Sequence, residues 1–163
     1  MAEIICNTSP LQYLHQMGAL HLLPALVKTI TVPPSVKQEL DIGRRLGLNL
    51  PDLEGLGWVV FSRPSSSIAL PLVTDLGPGE REVLALALET PDSVCVLDDA
   101  LARQVAKTLQ LRITGTLGVL IDAKRAGIIP AVRPLLDQLQ SLGFRLAPRT
   151  RAAVLKLTGE SEG

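Results

Sequence analysis

Chemistry first suggests itself in the run "VCVLDDALARQVA", where an apolar, strand-like stretch ends in Asp98-Asp99 and passes directly into a helical pattern. In an open parallel sheet, ligands gather at the carboxyl ends of the strands, so carboxylates at such a junction are placed for a shared site. Adjacent aspartates do not point the same way, and Asp99 also suits the cap of the helix that follows. In "LGPGEREVLALALE", Glu80 and Glu82 open a helix behind the Gly77-Pro78-Gly79 turn, where the helix macrodipole alone favours acids. Glu39, in "VPPSVKQELD", lies about one turn into a helix begun by Pro34 or Ser35, a position that a solvated helix face also explains. Mg²⁺ and Mn²⁺ are hard cations that take clustered carboxylate oxygens and keep several waters. A site of that kind activates water and neutralises charge developing on a phosphodiester.

One strand end carries an amide instead of an acid. In "ICNTSPLQYL", Asn7 either shapes a turn or stands where a metal-binding carboxylate would otherwise sit. Ser9-Pro10-Leu11-Gln12 fits a capping box with Ser9 as the cap and Pro10 at the first helical position, which leaves Asn7 outside the cap. Other chemistries lack their residues. His15 and His21, six apart, do not have zinc-ligand spacing and read as partly exposed packing positions. There is no evident Ser/His/Asp set, and "GPGE" is not a phosphate-binding P-loop. Cys6 and Cys95 both fall in apolar strand-like runs, as reduced buried thiols do.

The elements that must position these residues are legible as an alternation. Short β-branched runs, "EIIC", "KTITV", "WVVF", "SVCVL" and "LRIT", are separated by helical patterns such as "GEREVLALALE", "DDALARQVAKTLQ" and "AVRPLLDQLQSLG". Strand-helix alternation predicts an α/β fold with a mostly parallel sheet covered by helices on both faces. Residues 41–78, rich in Gly, Pro and Ser around one strand, are expected to be the most irregular part. A length of 163 residues with 47% hydrophobic content suits one domain with a substantial core.

Composition also narrows the partners. Sixteen basic residues balance 16 acidic ones, so any grip on nucleic acid is local and does not come from an overall field. Aromatic residues make up only 2% of the chain, too few for stacking to be the main grip on bases. No apolar run approaches the roughly 20 residues of a membrane helix, and "MAEIIC" lacks a basic start and a long apolar stretch. A cytoplasmic protein with no membrane partner is the expectation.

The segments "CNTSPLQYLHQMGALHLL", "VPPSVKQEL", "GPGEREVLALALE", "VLDDALARQVAKTL" and "ITGTLGVLIDAKRAGIIPAVRPLLDQLQSLGFRLAP" resemble, in that order, a prokaryotic branch of the PIN-domain family related to the VapC-type toxin nucleases. "NTSPL" and "GTLGVL" are the most specific pieces, and the resemblance runs from about residue 3 to residue 158. It implies a three-layer α/β/α domain over residues 1–158, followed by a short polar tail at 159–163. It implies cleavage of RNA with Mg²⁺ or Mn²⁺, a possible homodimer, and inhibition by a small antitoxin protein encoded alongside. By position, the family's catalytic acids fall on Asn7, Glu39, Glu82 and Asp99, with Glu80 and Asp98 as neighbouring alternatives. The implied metal ligands are Glu39, Glu82, Asp99 and Asp98, while Ser9, Thr116 and Arg103 would meet substrate. Lys124-Arg125 could meet phosphates or an antitoxin, although a solvated helix face explains them as well.

Asn7 removes one negative charge from a site whose affinity comes largely from carboxylates, so weakened metal binding is expected. That substitution motivates a second reading, a PIN-fold module that binds RNA or protein without efficient catalysis. A receiver-like signalling domain fits poorly, because receivers place their acidic pair after the first strand and Asp98-Asp99 come late.

Overall fold

A computed structural model of the chain describes residues 2–65 and 75–161. The expected strands are all present among them. They are β1 (Glu3–Cys6), β2 (Ile30–Val32), β3 (Val59–Phe61), β4 (Ser93–Val96) and β5 (Arg112–Thr114). Between and after them run α1 (Thr8–Gln16), α2 (Leu22–Leu26), α3 (Pro34–Arg45), α4 (Pro78–Glu89), α5 (Ala100–Thr108), α6 (Thr116–Arg125), α7 (Arg133–Ser141) and α8 (Pro148–Leu157).

The strands form one parallel sheet in the order β3-β2-β1-β4-β5. Helices cover both faces, giving the three-layer α/β/α arrangement that the alternation predicts. Burial follows position in the sheet. The inner β2 is buried at all of its residues and β1 ends in the fully buried Ile5 and Cys6, whereas Val60 and Phe61 on the edge strand β3 are exposed. A strand covered on both faces reads as a nearly continuous apolar run, as "VCV" does in β4, while in β2 the buried Thr31 donates its hydroxyl to Glu3 at 2.8 Å. Ile5, Leu11, Leu14, Leu84, Leu97 and Leu120 lie in the core with no exposed surface. Truncating any one of these leucines to alanine would cost about 2–5 kcal/mol.

The segment expected to be most irregular begins as a helix. Residues 41–45 continue α3, because Leu40 and Gly43 are buried on its inner face and Lys37–Asp41 and Asp41–Arg44 pair along its outer face. Of the rest of that segment, residues 66–74 lie outside the described residues. At the other end of the chain, Glu160 is anchored to the body. Its carboxylate accepts from the Val132 and Arg133 amides at 2.9 and 3.1 Å, capping the start of α7, and lies 3.6 Å from Lys124 Nζ. Among the described residues, no helix is long and apolar enough to cross a membrane.

Candidate active site

The strand order fixes where a site can form. From β1 the chain builds outward through β2 and β3, then returns to β1's other side for β4 and β5, so the topology reverses between β1 and β4. In open α/β sheets the crevice beyond the carboxyl ends of two such strands is the ligand-binding place. Cys6 is in register with Val96, and the Asn7 amide donates to the Val96 carbonyl at 3.1 Å. Asn7 and the Leu97-Asp98-Asp99 run therefore leave the sheet side by side.

Asn7 is the N-cap of α1, but its side chain makes no capping bond. The helix starts at Thr8, two residues earlier than a Ser9 cap requires. Pro10 then falls in the first turn, where a missing N–H costs nothing. Asn7 is only 4% exposed, and its Oδ1 has no hydrogen-bond partner. Gly79, in the first turn of α4, lies directly against it. A Cβ at Gly79 would stand 3.3 Å from Asn7 Oδ1, 2.9 Å from Glu39 Oε1 and 3.1 Å from Val36 Cγ2. The missing side chain is what lets α4 close over this point. Glu39 reaches in from α3, accepting from the Gly79 amide at 3.2 Å on one oxygen and from the Thr8 hydroxyl at 2.5 Å on the other.

Glu80 completes the cluster. Its Oε1 accepts from the Gly77 amide at 3.2 Å, the back-bond of a capping box, while its Oε2 is buried with no partner. Burial, followed by the neighbouring Asp99 charge and then Glu39, pushes the Glu80 carboxyl above the usual carboxylate range, against the pull of the Gly77 amide. Asp99 is the N-cap of α5, with Oδ2 accepting from Ala102 N at 2.9 Å.

The partner acid of each sequence pair is engaged elsewhere. Glu82 Oε1 accepts from the Ser35 amide at 2.8 Å and so satisfies an orphan donor at the start of α3. Asp98 clamps α6 with both oxygens, accepting from Thr116 N at 2.8 Å and Thr116 Oγ1 at 2.6 Å. Burial raises the Asp98 pKa, while the Thr116 hydroxyl and amide and the Arg103 charge oppose the rise. Thr116 has no exposed surface, and its hydroxyl is donated to Asp98 instead of facing a cleft. Arg103 donates through Nη1 to the Leu97 carbonyl at 2.8 Å. Gly115 makes this corner possible, since a Cβ there would meet Asp98 Oδ1 at 2.7 Å and both Arg103 Nη1 and Leu97 O at 3.0 Å. A Cβ on Gly118 would collide with the Thr114 side chain, so both glycines of "GTLGVL" are packing requirements.

The remaining sequence candidates divide by exposure. Ser9 lines a cleft of about 600 Å³ that also includes Asp98 and Asp99. Lys124 donates to the Pro130 carbonyl at 2.7 Å, and Arg125 is exposed beside it. His15 meets Asn49 Oδ1 at 3.0 Å, and His21 is exposed. Cys6 and Cys95 are free and buried; burial pushes the Cys95 thiol up to about 12 and the Cys6 thiol higher still, with Cys95 adding to that rise. Sequence reasoning missed Gly79 and the Thr8 hydroxyl as supports of Glu39. The Gly79–Glu39 and Thr8–Glu39 bonds join residues 40 and 31 apart, and neither leaves a local signal.

The donors at the cluster are all oxygens, the type that hard divalent cations take, and two of them are buried without partners. In donor type and in these orphaned atoms the residues fit a divalent metal. Glu39 and Asp99 are turned onto protein donors, and among the described residues no three His, Cys, Asp or Glu side chains converge on one point. Comparison with curated proteins and with solved structures gives no significant match. The family model DUF3368, a PIN domain, matches residues 3–160. PIN domains are in general nucleases that depend on divalent metals. With a match along nearly its whole length, the chain belongs to the PIN-domain family.

Proposed function

We propose that the chain is a divalent-metal-dependent endoribonuclease in which Asn7, Glu39, Glu80 and Asp99 hold Mg²⁺ or Mn²⁺. The observation that carries this reading is the pair of buried oxygens without partners, Asn7 Oδ1 and Glu80 Oε2, in one acidic cluster at the reversal of the sheet. Buried polar atoms are otherwise satisfied in folded proteins, and a cation satisfies both. Glu80 takes the place that position along the chain gives to Glu82, and Asp99 acts while Asp98 holds α6. A cation bound there activates water and offsets charge on the phosphate oxygens.

The protein's own groups prepare that chemistry. Thr8 and Gly79 aim the Glu39 carboxylate, and the α5 cap fixes Asp99 at the end of β4. Burial and the neighbouring Asp99 raise the Glu80 pKa, and a cation beside it would favour its ionised form. Asn7 contributes a neutral oxygen where a carboxylate would bind more strongly.

By resemblance, this activity belongs to the toxin of a cytoplasmic toxin-antitoxin pair, carried by one domain and restrained by a small antitoxin protein. The exposed Leu46 and Leu48 beyond α3 offer apolar surface for such a partner or for a second copy in a homodimer. The test is cleavage of a mixed RNA pool during a Mn²⁺ titration, with wild type, Asn7→Asp and Asp99→Asn compared. Cleavage by wild type and its loss in Asp99→Asn are expected; equal cleavage by both would remove Asp99 from the site. A second reading, a binding module with a latent metal site, draws on Asn7 and on the protein donors that occupy Glu39. It gains if only Asn7→Asp cleaves.

A further inference from the structure

Only four aromatic side chains occur in the chain, one Trp, one Tyr and two Phe, and two of them stand beside the acidic cluster. The cleft of about 600 Å³ is lined by Ser9, Tyr13, Asp98, Asp99, Phe144 and Arg145, among others. Tyr13 and Phe144 meet edge to face, with ring centroids 5.1 Å apart and planes at 85°. Both rings are half-buried, held against the core on one side and reaching the cleft on the other. Arg145 is exposed, and among the described residues no carboxylate lies within ion-pair distance of its guanidinium.

The cleft is therefore mixed in character: the carboxylates of Asp98 and Asp99, the Arg145 guanidinium and the two aromatic rings all line it. A second cleft, of about 380 Å³, continues from the first and shares Asp98, Phe144 and Arg145 with it, which puts Arg145 at the junction of the two. A small acid or a free divalent ion uses neither the aromatic edge nor the length. An unpaired nucleotide uses all of it: a phosphate for the guanidinium, a base for the rings, and a hydroxyl-bearing sugar for Ser9.

We infer that this cleft seats an unpaired ribonucleotide next to the phosphodiester that is cut, with its base against Phe144 and Tyr13 and its phosphate on Arg145. The inference rests on the ribonuclease reading for the identity of the strand. It makes the enzyme selective for single-stranded RNA, since a base held in a duplex cannot reach the rings. The low aromatic content does not oppose it, because one pair at one subsite is enough to hold one base.

The test separates grip from cleavage. Asp99→Asn protein, which removes a repelling charge, is titrated with a fluorescently labelled hexa-uridylate in EDTA, alone and combined with Arg145→Glu or with Phe144→Leu. Arg145→Glu is expected to weaken binding by about tenfold or more and to flatten its salt dependence, as loss of a phosphate contact does. Phe144→Leu, which keeps the core filled, is expected to weaken binding about fivefold or more with the salt dependence unchanged. Equal affinity for all three proteins, or no binding by any, overturns the inference; cleavage by wild type with Mn²⁺ in the same preparation leaves the ribonuclease reading standing. Loss of binding in the cleft variants without cleavage by wild type overturns the ribonuclease reading and keeps the cleft.

Discussion

Two acidic corners stand side by side at the carboxyl edge of the sheet, and they are built to opposite rules. At the Asp98 corner every oxygen is used: both carboxylate atoms hold Thr116, Arg103 holds the Leu97 carbonyl, and Gly115 lets the groups close together. At the Glu80 corner two buried oxygens have no partner, and the carboxyl is pushed toward its protonated form by burial and a neighbouring acid. A satisfied corner contributes stability. A corner left unsatisfied costs stability and holds affinity in reserve for a cation.

The largest expected effect tests this division through Glu80 and Glu82. Glu80→Gln should reduce Mn²⁺-dependent RNA cleavage by a few hundredfold, since metal stabilisation of transition-state charge is worth several kcal/mol. Glu82→Gln should leave cleavage within about threefold, because its carboxylate serves a helix start. Equal losses in initial-rate assays would erase the distinction. Next comes Asp98→Ala, which strands the buried Thr116 amide and hydroxyl. It should destabilise the fold by about 2–3 kcal/mol in urea titration, and an unchanged midpoint would mean that water replaces the clamp.

These variants also mark what the chain reveals before it is folded. The strands were legible because the inner parallel strands are mostly apolar and β-branched, and the acids were legible as strand-end and helix-start residues. Which acid of each pair faces the crevice was not. Glu80 and Glu82, two residues apart on one helix, project to different sides, and it is the packing of α3, whose Ser35 amide takes Glu82, that decides which of them faces the crevice. Asp98 and Asp99 are adjacent, and the choice is made by Thr116, 18 residues downstream of Asp98. Asn7 illustrates the converse. The Ser9-Pro10 pattern suggested a complete local cap, whereas helix α1 begins at Thr8 and leaves the Asn7 side chain uncommitted.

Two smaller effects sharpen the comparison further. Gly79→Ala should lower Mn²⁺ affinity by about tenfold in calorimetric titration, because the added methyl displaces the Glu39 carboxylate. Full affinity would show that Glu39 is not a ligand. The last effect is in pH. With its folded pKa above the unfolded value of about 4.3, Glu80 adds stability that is fully present below the unfolded value and is lost as pH rises through the folded one. Metal-free Glu80→Gln should therefore melt a few degrees above wild type at pH 8 and level with it near pH 4, and Mn²⁺ should remove the advantage. A gap independent of pH would place its origin outside this titration.

The pairing of β1 with β4 also sets when the site comes into being. Ribosomes deliver β1, β2 and β3 first, and these neighbours can associate while one edge of β1 still has no strand beside it. Contacts that join distant parts of a chain form late, and this one joins Ile5 to Cys95. Until the chain has grown past Asp99, Asn7 and Glu39 have no fourth member opposite them. On the proposed reading, a nuclease assembled in this order lacks a complete site throughout the first half of its own synthesis.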